Sequence, residues 1–415
     1  MNESFSRAAL GSTIERPIAG YWGSDVETRA SRWPARVVRN GDVEHEGHIW
    51  ESALPLRWFT SHEIAKAETR DTDCILVSSG AYTGNVGRVV KDASDRVPIV
   101  VSNFVRRLRP RPETDPGWLF HALRSPLVQA QVWPHAGGSA IPNLGRSFFE
   151  HCILPVPDAA HQRTIGKVFD MLDDAIWSTE RLLAKLDRMK QGLIGDLLTR
   201  GLTQGGRLRD PAIDATQFAG SDNGLLPVGW RACALDELVL NLDGRRIPLK
   251  QADRDQRHGE YRYYGASGVI DHVDDFIFDG DFILLGEDGE NVVSRQLPLA
   301  FRVRGQFWVN NHAHVFSPLP DNDIRFLTHL LEHTNYSSVV IGSAQPKLTQ
   351  AGLGRLRFAV PPFDEQVRIA DTLETVGERD QAEREGLAKL RQLKQGLLAD
   401  LLKGSVLVDC DGDAA

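Results

Sequence analysis

Cysteine is scarce in this chain, and long apolar runs are missing. Among 415 residues there are four cysteines, Cys74, Cys152, Cys233 and Cys410, and no two form a CxxC pair. That argues against a disulfide scaffold or a structural zinc site and fits a reducing cytoplasm. No run of about 18 or more apolar residues occurs, so no membrane-spanning helix is expected. The opening MNESFSRAALGSTIERP lacks the basic-then-apolar pattern of a signal peptide. Catalytic signatures are missing too. There is no GxxxxGK[ST] phosphate loop and no GxGxxG dinucleotide turn. An amino-methyltransferase needs a glycine-rich cofactor turn and an Asn/Asp-Pro-Pro-aromatic motif. Here Pro361-Pro362-Phe363 follows Val360, which offers neither amide nor carboxylate. Glu287, Asp288 and Glu290 have no lysine beside them in the sequence, so they read as a loop rather than a metal nuclease centre. His312 and His314 would share one face of a strand. No Cys or carboxylate is spaced to complete a metal site with them, so packing or hydrogen bonding is the expectation. No catalytic residue and no metal ligand is assigned.

Hydrophobic residues make up 41% and charged residues 25%, the composition of a soluble globular protein. The length suggests two or three domains. The net charge of −8 does not exclude a nucleic-acid partner, because binding needs only a local basic surface. Basic clusters occur at Arg29, Arg32, Arg36 and Arg39, at Arg106, Arg107, Arg109 and Arg111, and at Arg245, Arg246 and Lys250. Each cluster alone reads as solvated surface.

The strongest signal is an internal repeat. Gly138-Ser-Ala-Ile-Pro-Asn-Leu144 corresponds to Gly342-Ser-Ala-Gln-Pro-Lys-Leu348, and Val156-Pro157 to Val360-Pro361. Gln162 and Ile165 correspond to Gln366 and Ile369, Leu183-Ala-Lys-Leu186 to Leu387-Ala-Lys-Leu390, and Lys190-Gln-Gly-Leu193 to Lys394-Gln-Gly-Leu397. Asp196-Leu-Leu198 recurs as Asp400-Leu-Leu402, and one offset of 204 (190 to 394) places every pair without a gap. Such a period is far too long for a solenoid, so the chain reads as two tandem modules. Each has a variable first part and a shared second part.

The shared parts carry helical periodicity. Ile165, Val168, Leu172, Ala175, Thr179, Leu182, Leu186, Met189 and Leu193 step by three and four, a heptad seam without internal proline. Pro155 and Pro157 precede it, and Gly201 supplies the stop. In the second copy Ile369, Leu373, Val376, Leu387, Leu390, Leu393, Leu397 and Leu401 keep the pattern. Its middle, 377–386, is polar and bounded by glycines: a solvated helical turn or a local break. The variable parts read as mixed α/β domains. Asp73-Cys-Ile-Leu-Val-Ser-Ser79 is a strand turning at Gly80, and Asp281-Phe-Ile-Leu-Leu285 holds the same place in the second module, turning at Gly286 and Gly289. Phe307 to Phe316 reads as one further strand. Residues 201–224, rich in Gly, Asp and Thr, read as a linker.

Met189-Lys-Gln-Gly-Leu-Ile-Gly-Asp-Leu-Leu198 and Leu393-Lys-Gln-Gly-Leu-Leu-Ala-Asp-Leu-Leu402 resemble the helix ends of the specificity subunits of type I restriction–modification enzymes. So do Pro155-Val-Pro157 with Gln162, and Val360-Pro-Pro362 with Glu365-Gln366. Tyr263-Tyr-Gly-Ala-Ser-Gly268, Leu284-Leu-Gly-Glu-Asp-Gly289 and Val309-Asn-Asn-His-Ala-His314 look like parts of that family's target recognition domains. The resemblance covers nearly the whole chain. It implies an α+β fold with recognition domains over 1–157 and 225–360, conserved helices over 158–201 and 361–405, a linker over 202–224 and an acidic tail over 406–415. The helices would pack as an antiparallel coiled coil and act as a ruler between the domains. It further implies a non-catalytic, cytoplasmic subunit that reads an asymmetric bipartite site in double-stranded DNA. Two methyltransferase subunits and restriction/motor subunits would dock on it, with S-adenosylmethionine, ATP and magnesium on those partners and no cofactor in this chain.

Polar or aromatic residues in glycine-bounded loops are the candidate DNA contacts. In the first domain these are Ser79, Tyr82, Thr83, Asn85 and Arg88, with Arg106 and Arg107. In the second they are Arg245, Arg246, Tyr263, Tyr264, Ser267, Asn291 and His312. Leu172, Leu186, Leu193, Leu390 and Leu397 are the candidate coiled-coil and subunit-interface residues. Two other readings stay open: a coiled-coil scaffold whose domains bind protein, and an orphan specificity subunit serving a methyltransferase alone.

Overall fold

A computed structural model describes residues 5–44, 47–90, 97–137, 141–221, 224–342 and 345–403. Cys410, the acidic tail and the Gly138-Ser139-Ala140 and Ser343-Ala344 parts of the repeat lie outside the described residues. Two long helices are present, Ala159–Thr199 and Phe363–Lys403, each of 41 residues. The chain divides into two compact units, 1–181 with 385–415 and 182–384, so the division falls inside both helices rather than at 202–224.

Burial explains that division. In the first unit Ile165 and Phe169 share an apolar core with Trp118, Leu119 and Phe148, and Leu398, Leu401 and Leu402 from the end of the second helix complete it. In the second unit Ile369, Ala370 and Leu373 share a core with Ile283, Leu285 and Phe326, completed by Ile194, Leu197 and Leu198 from the end of the first helix. Each unit is therefore a mixed domain, the start of its own helix and the end of the other.

Within each unit the helical segments run antiparallel. In the first, Lys394 bonds Asp173 and Arg391 bonds Glu180 at 2.6 Å. In the second, Arg384 bonds Asp187 at 2.7 Å and Lys190 lies 3.7 Å from Asp380. The repeat equates Glu180 with Arg384 and Asp187 with Arg391. The two pairs are thus equivalent, with their signs exchanged. The polar middle of the second helix is helical throughout, with Arg384 also reaching Asp380 one turn back. Leu172, Leu186, Leu193, Leu390 and Leu397 are all half-buried. Among the seam positions Ile165, Ile369, Leu373, Leu387 and Leu401 are buried, and Leu183 and the helix ends are buried beside them, because those ends pack on domain cores as well as on helix.

The first domain holds a five-stranded sheet in the spatial order Ile18–Ala19, Val105–Leu108, Cys74–Val77, Val86–Val90, His48–Trp50. A three-stranded sheet of Leu56–Phe59, Trp33–Val38 and Ile99–Val101 lies in the same domain. Cys74-Ile-Leu-Val is apolar throughout because both its faces are covered. Cys74 and Leu76 enter one core, Ile75 and Val77 another. The second domain holds a six-stranded sheet ordered Val239–Asn241, Ala313–Pro318, Phe278–Gly286, Ala300–Val309, Tyr261–Gly265, Gly268–Val273. Its central strand alternates likewise, Ile283 and Leu285 to one side, Phe282 and Leu284 to the other.

Two sequence expectations are corrected. The stretch from Phe307 to Phe316 is not one strand: Ala300–Val309 ends, Asn310-Asn311-His312 turns, and Ala313–Pro318 returns. His312 and His314 consequently do not share a strand face; the first is in the exposed turn, the second buried. Residues 202–221 of the expected linker belong to the second unit. Arg209 is buried against Glu365, which also accepts from the backbone N–H of Leu202 at 2.8 Å.

Candidate nucleic-acid interface

The repeated Pro-x-Leu motif has the same task in both units. In the first, the strand Cys74–Val77 leads into a loop at Gly80, whose φ of 110° is left-handed and favours glycine. The Leu144 N–H donates to the Ser78 carbonyl at 2.7 Å, and the Gly80 N–H donates to the Pro142 carbonyl at 3.3 Å. Between these bonds Ser79 pairs with Asn143. In the second unit Phe278–Gly286 leads to Gly289, with φ 98°. The Leu348 N–H donates to the Glu287 carbonyl at 2.7 Å and the Gly289 N–H to the Pro346 carbonyl at 3.0 Å, and Asp288 pairs with Lys347. One two-bond clamp thus pins the loop that follows the central strand in each domain.

The loop side chains differ between the domains. In the first, the Thr83 hydroxyl donates to the Gly80 carbonyl at 2.7 Å and the Asn85 amide to the Val43 carbonyl at 3.0 Å. These two residues shape the loop, while Tyr82 stands 53% exposed on it and Ser79 is half-buried. Arg88 points away, bonding Asp170 of the first long helix at 2.6 Å and lying 4.0 Å over the Phe120 ring. His121 Nε2 lies 2.8 Å from the same carboxylate oxygen. Burial alone would raise the pKa of Asp170, but the bonds from His121 and Arg88 outweigh it and hold it at about 2. Burial also pushes the His121 imidazole down. Arg106 is half-buried on Val105–Leu108. Arg107, 8% exposed, donates to the carbonyls of Lys66 and Glu68.

In the second domain the clamp gathers a polar cluster. Arg246 donates to Glu287 and to the Ala313 carbonyl, both at 2.8 Å, and Lys347 lies 3.1 Å from Glu287. His312 Nδ1 is 2.9 Å from Asp288. Asp243 accepts from His314 at 2.6 Å, Gln350 at 2.7 Å and the Val315 N–H at 2.9 Å. Burial would raise its pKa, yet these donors hold it well below the usual carboxylate range. Asp243, Glu287 and His314 have ligand atoms within 4.8 Å of one another, the spacing of a metal site. Arg246 and Lys347 already neutralise Glu287, and His314 Nε2 is bonded to the Leu348 carbonyl at 2.8 Å. The group is an ion-paired knot supporting the clamp.

Of the second-domain candidates, Arg246 and His312 meet at this clamp and the others do not. Arg245 lies 4.8 Å over Phe278 and donates to the Ile277 carbonyl. Tyr263 is fully buried, its hydroxyl accepting from the Leu249 N–H at 3.0 Å, and Tyr264 packs edge-on to Phe307. Ser267 sits in the turn before Gly268–Val273, and Asn291 bonds the Leu297 backbone with both ends of its amide. Sequence reasoning passed over Asn143 and Lys347, whose signal was the one unlike position inside the repeated Pro-x-Leu, and read Asp288 only as part of an acidic loop.

Two mixed domains, each carrying a clamped loop and each closed by antiparallel segments of two long repeated helices, are the architecture of a DNA specificity protein. The chain belongs to the type I restriction modification DNA specificity family, whose domain matches residues 63–188 and 227–392. It is 21% identical over 361 residues to the type I restriction enzyme MjaVIII specificity subunit of Methanocaldococcus jannaschii, covering 81% of this chain and 80% of that protein. It is 32% identical over 149 residues to a type I specificity subunit of Haemophilus influenzae, a match spanning 36% of this chain and only 37% of that relative's length. The crystal structure of the S subunit of a type I restriction–modification system from M. genitalium has the same fold, with TM-score 0.62, 15% identity and 97% of each chain covered. Among the described residues no helix is long and apolar enough to cross a membrane.

Proposed function

We propose that this chain is the non-catalytic, DNA-reading subunit of a type I restriction–modification complex, each of its domains reading one half of a split, asymmetric target. Two methyltransferase subunits and restriction/motor subunits dock on it, and S-adenosylmethionine, ATP and magnesium belong to those partners. The observation that carries this reading is one backbone frame, built twice, bearing different side chains. Ser79 and Tyr82 stand on the first loop, and Asp288 and His312 on or beside the second, with Arg246 behind them. The same support with different readers is what two unlike half-sites require.

Docking of two identical partners is supported by the helices. Lys185, Met189 and Gly192 form one exposed row on the first helix, and Lys389, Leu393 and Gly396 form its equivalent on the second. A glycine inside a helix costs about 1 kcal/mol relative to alanine. Nothing lies within 4 Å of a Cβ built at Gly192 or Gly396, so no internal packing calls for them. The repeat keeps a glycine at this point in both rows, which two faces meeting the same partner would share.

Selection of duplexes from a randomised pool by the reconstituted complex tests the reading. Two short selected blocks separated by an unselected spacer are expected, and Tyr82→Ala should relax one block only. A single contiguous motif would overturn it.

A further inference from the structure

The clamp presents one exposed side chain in each domain, at the position between its proline and its leucine. That residue is Asn143 in the first domain and Lys347 in the second. Both sit on backbone held from either side by a hydrogen bond to the glycine loop. Their neighbours on the loop strand are Ser79 and Asp288, so clamp and loop form one surface. We propose that Asn143 and Lys347 are matched contacts to the phosphate backbone of DNA that set the register of each recognition domain; the inference rests on the DNA-reading function above.

Three observations carry it. The motif is shared by two domains that differ elsewhere, so its work is common to both, and the feature common to any two half-sites is the sugar–phosphate chain. An amide and an ammonium are both N–H donors suited to a phosphate oxygen, and they differ in the charge they bring. Lys347 lies 3.1 Å from Glu287, a carboxylate that Arg246 also meets at 2.8 Å, and its side chain remains 46% exposed. The exposed side of its ammonium can take a second anion beside this carboxylate.

The difference in charge makes the pair testable in the reconstituted complex. Binding is measured on a target duplex and a scrambled duplex over a series of salt concentrations. Lys347→Ala should weaken both duplexes severalfold by one common factor and reduce the slope of log K against log salt by about one, and Lys347→Arg should restore both. Asn143→Ala should weaken both duplexes equally and leave the slope unchanged. Asn143→Lys should tighten both and increase the slope by about one, a gain that misfolding cannot imitate. Loss confined to the target duplex would make these residues base readers and overturn the proposal. Unchanged binding across the series, or an Asn143→Lys slope equal to wild type, would overturn it as well. A wild-type complex with no affinity for either duplex would instead overturn the DNA-reading function itself.

Discussion

Gln162 and Gln366 are buried amides that do the same work in the two units. Each side-chain oxygen accepts a backbone N–H at 2.9 Å, from Asp115 in one unit and Asp323 in the other. Each side-chain nitrogen donates to the carbonyl of a proline before the long helix, Pro157 at 2.8 Å and Pro361 at 3.0 Å. Asp115 and Asp323 in turn cap the domain helices Pro116–Arg124 and Ile324–His333. One amide therefore ties the start of a long helix to the cap of the helix packed on it. Gln366→Ala would leave a buried donor and acceptor without partners, which costs about 1–3 kcal/mol. The denaturation midpoint should fall with an unchanged denaturant slope, and a midpoint equal to wild type would count against the contact. The sequence showed that this glutamine recurs behind its prolines, but not what it holds them to, because Asp115 and Asp323 lie 47 and 43 residues upstream and carry no motif of their own. The same limit applied at the clamp. The recurrence of Pro-x-Leu was plain, whereas its loop partner emerges only when the strands pair.

At the scale of elements, helical periodicity showed both long helices, because an apolar repeat without internal proline is a local signal. It located part of the covered face, Ile165, Ile369, Leu373, Leu387 and Leu401, and missed the rest. A heptad seam assumes that a helix meets only another helix, and here Ile194, Leu197 and Leu198 and their equivalents Leu398, Leu401 and Leu402 enter domain cores. The strand expected from Phe307 to Phe316 failed for a local reason, since Asn310-Asn311 is turn chemistry between two apolar runs. Gly377 and Gly386 were expected to bound either a solvated helical turn or a local break, and the helix passes through both, as the first alternative has it. Nothing lies within 4 Å of a Cβ built at either. Gly377→Ala and Gly386→Ala should each stabilise the protein by about 0.5–1 kcal/mol, read as a raised melting temperature. A fall in melting temperature at either site would show that the helix is interrupted there.

At the scale of the molecule, the duplication should govern how many partners bind. The rows headed by Lys185 and Lys389 are equivalent, so damage to one should remove one partner. Met189→Glu or Leu393→Glu should each yield a complex with a single methyltransferase subunit by native mass spectrometry, and the double variant a complex with none. Two retained subunits in the double variant would place docking elsewhere. The two copies differ in charge where Glu180 faces Arg391 and Asp187 faces Arg384. A helix set antiparallel against a copy of itself would instead oppose Glu180 to Asp187, or Arg391 to Arg384. Each exposed pair contributes only about 0.2–1 kcal/mol, so this is a bias rather than a lock. It bears on how such a gene tolerates recombination. Exchanging a recognition domain while leaving both helices in place keeps the opposite charges matched, whereas inheriting the same whole module twice sets like charges together. The helix pair thus leaves the reading heads open to replacement while disfavouring a gene made of two identical halves.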